Sequence, residues 1–489
     1  MATSRSSRAL FTALTLCAFA APLCAANSRL NPAFINYEAA VSSRAVRTAA
    51  AGTAVVLPLG FRPGPVNMAH MAGKDISSSL YSRSVSVAAS AAVPRASYAS
   101  SYDLRNYSKV TPVKDQGSDS DCWAYATFGS LESNLLPAET WDFNETHMAT
   151  NAGFDSGWGL AGGNSFMSSA YMARWTGPVK ETDTGTVYKH LQDMFWLPNA
   201  TGAYDSTFIN NVKAALTGYG AVYSSIYSDR AAFDSSSTNF YNSKCTAPFG
   251  TAKDVCTCAS SDCGGHAITL IGWDDNYSKS NFTAADGQPS GNGAFIAKNS
   301  WGTGYGSSGY FYISYYDTSI GGESAVFDVA AATTNYTDVY QYDNLGYVYS
   351  IGSTDITGTD SLYEWMSNIF NASSSANIKA AGFYTTDVNT TYEIYVYTGV
   401  TAGSPRSGNL AYSGSGSFAA SGYHTVTFSP VPVSSGQRFS VVVKLTNSSY
   451  KYPIPLEMPT TDLESSNAYS YSSLATASSG QSYFSHDGS

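Results

Sequence analysis

At 489 residues the chain exceeds the roughly 100–200 residues of one compact domain, so two or more domains are expected. Apolar residues make up 43% and charged residues 13%, with Gly, Ser, Thr and Tyr abundant, which excludes a coiled coil or long charged helices and suits strands and loops. The net charge of −10 argues against nucleic acid as a partner.

In chain order, Arg5 and Arg8, the apolar run "ALFTALTLCAFAAP" and the small-residue sequence "LCAANS" have the layout of a secretory signal over residues 1–26, cleaved after Ala26. No later window has the roughly 20 uninterrupted apolar residues of a transmembrane helix, so no membrane span is expected. The mature chain is placed outside the reducing cytosol: secreted and extracellular, at the cell surface or in a periplasm. Residues 27–97 are Ala/Ser/Val-rich and weakly periodic, with turn signals such as "FRPGP" (61–65) and the low-complexity "SVSVAASAAVP", which reads as a loosely built pro-region or linker. The first 100 residues hold nine Arg and Lys against two acids, so the remainder carries a net charge of −17. Such asymmetry fits mutual complementarity or the ordinary acidity of a secreted body.

From residue 98 to 332 the texture is denser. Ala124, Phe128, Leu131 and Leu135 form one stripe of an amphipathic helix that Pro137 stops, with Asp121 at the N-cap and Cys122 in the first turn. Further helices are predicted over 165–175 and 208–220, followed by strands at "HAITLIGWDD", "GAFIAKNSWG" and "GYFYISYYD". Helices followed by antiparallel strands give an α+β domain. From 333 to 489 the runs "TYEIYVYTG", "YHTVTFSP" and "RFSVVVKL" alternate with period two, which predicts an all-β sandwich with Tyr392, Ile394 and Val396, and Phe439, Val441, Val443 and Leu445, facing inward. Tyr395 and Tyr397 are expected on its surface, as sugar-stacking residues or as cross-strand pairs.

Of seven cysteines, Cys17 and Cys24 fall in the signal. Cys245, Cys256, Cys258 and Cys263 are expected to form two disulfides, in either arrangement that avoids bonding Cys256 to Cys258. A zinc site from these four lacks a His at finger-like spacing, so no metal and no cofactor is expected. Cys122 is left over. A thiol becomes a nucleophile as thiolate, which a helix N-terminus and an imidazole favour by lowering its pKa from about 8.5 to as little as 3–4. His266 lies between Gly264-Gly265 and a buried strand, Asn299 ends a strand, and Gln116 precedes the cysteine by six residues, which supplies candidates for base, orienting group and oxyanion donor. Taken alone, Cys122 reads by default as a buried core thiol, and His266 taken singly also fits a structural histidine under a turn.

"VTPVKDQGSDSDCWAYATFGSLES", "GGHAITLIGWDD" and "AFIAKNSWGTGYGSSGYFYISY", in this order, resemble the papain family of cysteine peptidases over residues 101–329. The resemblance implies a helical half and an antiparallel β-barrel half, protein or peptide substrates, Cys122 as nucleophile and His266 as general base and acid. It implies that Asn299 orients the imidazole, that Gln116 and the Cys122 backbone N–H hold the oxyanion, and that Trp301 shields the His–Asn hydrogen bond. Gly162 and Gly163 would pair with the substrate backbone, with Asn164, Ser165, Val222 and Ala267 near the second side-chain pocket. The chain departs from the family where Asp119-Ser120-Asp121 replaces Cys-Gly-Ser and Leu160 stands at the partner cysteine's position, so both ends of one family disulfide are absent. About twenty extra residues (275–293) separate the His and Asn strands. "LPLGFRPGPVNMAHM" and the C-terminal sequences "AAGFYTTDVNTTYEIYVYTG" and "SGQSYFSHDG" resemble secreted prokaryotic enzymes of this type with a C-terminal lectin-like domain, which adds glycans as a candidate partner. The alternative is an inactive papain-like scaffold in a surface adhesion protein.

Overall fold

The computed structural model describes residues 29–30, 59–66, 68–84, 98–155, 159–250, 255–354, 358–460 and 471–488. The signal expected over 1–26 lies outside the described residues.

Five helices position the site: α1 (Ser77–Ser84), α2 (Cys122–Leu135), α3 (Glu145–Thr150), α4 (Ser165–Ala173) and α5 (Ser206–Gly218). The predicted stripe holds, since Ala124, Phe128 and Leu131 are fully buried, and α2 ends one residue before Leu136-Pro137. Asp121 stands at the N-cap position as expected, but its side chain makes no capping hydrogen bond. The strands are β1 (Lys189–Trp196), β2 (Val222–Asp229), β3 (Cys263–Asp274), β4 (Ala294–Lys298), β5 (Tyr310–Ser314), β6 (Ser324–Ala332), β7 (Tyr363–Asn371), β8 (Ala376–Thr385), β9 (Thr390–Thr398), β10 (Asn409–Phe418), β11 (Ser421–Val433), β12 (Arg438–Thr446) and β13 (Ser482–Ser485).

The α+β body is followed by a β-rich domain, and the two share a sheet. Among the described residues one sheet runs β8-β11-β1-β6-β2-β3-β4-β5, and β10-β9-β12-β7-β13 form a second, antiparallel sheet. The junction is β11 against β1, antiparallel, with Ser421 opposite Trp196 and His424 opposite Asp193. Ile394, Val396, Phe439, Val443 and Leu445 are buried as the alternation predicts. Tyr397, expected outside, is also buried, because Ile369, Val400 and Val442 build a second apolar cluster on that face.

Residues 59–84 are not loosely built. Phe61, Met68, Met71, Ile76 and Leu80 belong to the same core as α2 and the barrel strands. Asn211 on α5 accepts from the Ile76 N–H at 3.0 Å and donates to the Lys74 carbonyl at 2.9 Å. Lys74 Nζ meets the buried Asp387 carboxylate of the C-terminal domain at 2.6 Å, and His70 stacks on Tyr450 at 3.6 Å. One cation of the basic N-terminal part thus pairs with the acidic remainder, which burial of the carboxylate makes stronger than a surface pair.

Candidate active site

Strand pairing assembles the polar groups. In β3, His266 precedes by three residues Thr269, which pairs with Lys298 at the end of β4, so the next residue, Asn299, reaches the imidazole. His266 Nε2 lies 2.8 Å from Asn299 Oδ1. The Ser300 N–H also donates to that oxygen, at 2.9 Å. An oxygen accepting from Ser300 requires the hydrogen on Nε2, which leaves the His266 Nδ1 lone pair as the base. Trp301 stacks on the His266 ring at 4.5 Å and is itself buried, covering this bond.

The segment before α2 pairs with the chain after β4: the Gln116 N–H donates to the Ser300 carbonyl at 2.8 Å, and Gly302 N–H to Lys114 at 3.1 Å. Gln116 Oε1 accepts from Ser300 Oγ at 2.6 Å, and Nε2 donates to the Asp119 carbonyl at 2.6 Å. Ser300, which carried no signal of its own in the sequence, therefore fixes which way the Gln116 amide faces. Cys122 heads α2, and the Ala267 N–H donates to its Sγ at 3.3 Å. Cys122 is the free cysteine of the described residues, and the disulfides are Cys245–Cys256 and Cys258–Cys263, one of the two expected arrangements.

Residues 60–64 lie in the cleft. Gly163 N–H donates to the Gly60 carbonyl at 2.9 Å, Arg62 N–H to Gly163 at 2.9 Å, and Phe61 N–H to Gly265 at 3.0 Å, so the segment pairs in parallel with the Gly162-Gly163 wall. That wall needs glycine, because a Cβ on Gly163 would stand 2.5 Å from the Trp123 ring. Asn164 caps α4 through Oδ1 and donates from Nδ2 to the Arg62 carbonyl at 3.1 Å. Ser165 turns to the buried Glu323, donating to it through N–H and Oγ, and Val222 is buried opposite Leu270 in the core behind the cleft. Phe61 meets Phe249 edge-on at 5.7 Å, so the disulfide-bonded loop walls one side of the cleft. The insertion 275–293 packs elsewhere, with Tyr277 on Tyr312 of β5 at 4.0 Å and Asp275 against Lys213 of α5.

Occlusion decides the protonation states. Burial pushes the Cys122 thiol up to about 12, although the N–H groups of Ala267 and Gly60 favour the thiolate, and the neighbouring Asp121 opposes it. This reverses the lowering expected from the helix terminus, because the segment 60–64 removes water from the sulfur. Burial likewise brings His266 down to about 4, against the hydrogen bond to Asn299. Asp121 is raised to about 7, by burial first and by Asp119 second. The pair in the occluded form is a neutral thiol and a neutral imidazole.

Known proteins resemble the chain in two blocks. Residues 98–329 match the family model described as papain family cysteine protease, and residues 339–489 the model described as lectin like domain. The cysteine proteinase 1 of Entamoeba histolytica is 27% identical over 220 residues, covering 42% of this chain and 61% of that protein. The chain thus spans about three fifths of the length of the curated relatives it matches. The cysteine protease and lectin-like domains of Cwp84, a surface layer associated protein of Clostridium difficile, align with a TM-score of 0.62 at 23% identity over 80% of this chain and 84% of that one. Cwp84 after propeptide cleavage aligns with a TM-score of 0.60 at 24% identity, over 79% of this chain and 93% of that one.

Proposed function

We propose, for a chain whose residues 98–329 are a papain family cysteine protease domain and whose residues 339–489 are a lectin-like domain, that it is a secreted thiol peptidase held latent by its own residues 59–66. The observation that carries this reading is the constellation of Cys122 Sγ under the Ala267 N–H with His266 held by Asn299 at 2.8 Å. In the open enzyme His266 Nδ1 takes the thiol proton and Cys122 Sγ bonds to the peptide carbonyl carbon. The developing oxyanion is met by the second Nε2 hydrogen of Gln116, the first being spent on Asp119, and by the Cys122 N–H. Collapse breaks the C–N bond as His266 returns the proton to the leaving amine. Water, deprotonated by His266, then cleaves the thioester and releases the acid.

Latency follows from which atoms the N-terminal segment offers. Gly60 turns its backbone N–H to the sulfur, and residues 60–62 fill the groove along Gly163 that a substrate would take. The intact Cys122, Gln116, His266 and Asn299 support a peptidase over an inactive scaffold. Secretion rests on the signal-like residues 1–26, and glycan binding rests on the match to the lectin-like model. Two measurements test the function. Iodoacetamide should alkylate Cys122 in protein freed of residues 27–97 and spare the full chain, and Cys122→Ala should abolish digestion of denatured gelatin. Equal, slow alkylation of both forms with undiminished digestion would sink the reading. An empty glycan array with the full chain freed of its leader would remove the carbohydrate partner.

A further inference from the structure

The N-terminal segment also shows where an extended chain goes once past the Gly163 wall. Two residues after Arg62, a side chain leaving Gly64 would meet Asn164 Nδ2 at 3.1 Å and Tyr471 Oη at 3.3 Å. Tyr471 belongs to the C-terminal domain. Its hydroxyl donates to Asn164 Oδ1 at 3.3 Å, its ring leans on Phe154 at 4.6 Å, and its carbonyl accepts from the Asp155 N–H at 3.1 Å. Asp155 in turn accepts from the Ser473 N–H at 2.8 Å.

Asn164 Oδ1 therefore accepts from both Met167 N–H and Tyr471. With the oxygen committed twice, the amide cannot flip, and Nδ2 is left aimed at the carbonyls of whatever chain lies in the groove. In the occluded form that carbonyl is Arg62's. The tyrosine hydroxyl is not needed to dock the domain, which is already joined through the β11–β1 pairing, through Arg174 to the Asn344 carbonyl at 2.9 Å, and through Asp155 to Ser473.

We propose that Tyr471 is a specificity-determining residue: the lectin-like domain completes the peptide groove, orienting Asn164 and touching the substrate itself. The distance from Gly60 at the sulfur to Gly64 at Tyr471 is four residues, about 13 Å of extended chain. The substrate class is accordingly an extended peptide with about four or more residues on the Gly163 side of the scissile bond, and short peptides forgo this contact. The proposal rests on the peptidase reading.

The test uses the full chain freed of its N-terminal segment and two coumarin amides, with two and with five residues before the scissile bond. Tyr471→Ala should cut the long-to-short ratio of kcat/KM by about tenfold, the usual worth of one pocket contact. Tyr471→Phe, which keeps the ring on Phe154 should the alanine variant fold poorly, should cut it by about threefold. An unchanged ratio in Tyr471→Phe together with an unchanged or unmeasurable one in Tyr471→Ala overturns the proposal while leaving the peptidase standing. If wild-type protein cleaves neither amide and Cys122 resists alkylation, both readings fall.

Discussion

Gly60→Ala in the full-length chain should release the latent site. A Cβ there would lie 2.0 Å from the Ser120 carbonyl oxygen and 2.2 Å from its carbon, whereas unstrained heavy-atom contacts stand about 3.5–4.0 Å apart. The obstacle is backbone, tied down by the Ser120 N–H donating to Leu160 at 2.9 Å, so it does not swing aside as a side chain does. The segment must back out, which breaks the bonds Gly163–Gly60, Arg62–Gly163, Phe61–Gly265 and Asn164–Arg62. At about 1 kcal/mol each these hydrogen bonds are worth about 4 kcal/mol. Burial of Phe61 adds about 2–3 kcal/mol. Losing only half of the total, about 3 kcal/mol, multiplies the open fraction by about a hundredfold. Cys122 alkylation by iodoacetamide, followed by mass spectrometry on the uncleaved chain, should accelerate by at least that factor while thermal unfolding of the body stays in place. A Gly60→Ala chain alkylated as slowly as wild type, with unchanged unfolding, refutes the claim that close backbone approach at this residue holds the thiol out of water.

Asn299→Ala should lower kcat at least about tenfold with little change in KM, because the imidazole loses its orienting acceptor while the groove is untouched. Docking of a peptide comprising residues 59–84 onto chain lacking it should weaken as pH falls: burial holds docked His70 at about 4 against an ordinary 6.5, so the free peptide takes up the proton first and affinity drops by up to about tenfold per pH unit between those values. Asp387, which against its burial Lys74 and the Ser449 N–H hold below its usual range, adds to the loss only below about pH 4. Affinity that stays constant from pH 7 to 4, read by fluorescence anisotropy, contradicts the His70 linkage. Lys114→Met leaves the buried Glu132 and Glu145 without the ammonium now 2.9 Å from Glu145, and should cost about 3–5 kcal/mol in denaturant unfolding.

What the sequence disclosed and what it hid divide along a physical line. Cys122, His266, Asn299 and Gln116 were legible because their chemistry restricts residue type, and the helix stripe because Ala124, Phe128 and Leu131 repeat at helical period. Pairing between distant edges leaves no such mark. The alternation of "YHTVTFSP" tells which face is apolar but not that His424 will stand opposite Asp193 in another domain, since any exposed strand edge offers the same backbone groups. Residues 59–84 hid for the opposite reason. Phe61 stands in a Pro/Gly-broken stretch with no period, and Met68 to Met71 and Ile76 to Leu80 each give a single helical step on a short turn or the short helix α1, too little to read as a stripe, yet all five fill one core.

The stretch from Asp119 to Asp121 joins these two cases. Next to Asp119, where the resemblance puts one cysteine of the family disulfide, the Ser120 N–H donates to the Leu160 carbonyl at 2.9 Å, so a backbone bond one residue along ties this stretch to the other cysteine's position. The Asp119 carbonyl fixes Gln116, and the Ser120 carbonyl is the wall that only a glycine at residue 60 can approach. Its two acids do no capping. Asp121 is buried, makes no capping hydrogen bond and is raised to about 7, so beside the occluded thiol it is about half neutral at pH 7 and mostly neutral below, and its opposition to a thiolate weakens as pH falls while the segment stays. When the N-terminal segment leaves and water returns, the desolvation that raised Cys122, lowered His266 and raised Asp121 falls away at once. Thiolate formation is then favoured by the Ala267 N–H, the helix terminus and a chargeable imidazole, and opposed by an Asp121 that ionises in the same step. Departure of one segment thus sets three coupled groups, and the residual activity of the thiol is a balance struck between the imidazole on β3 and the acid that precedes α2.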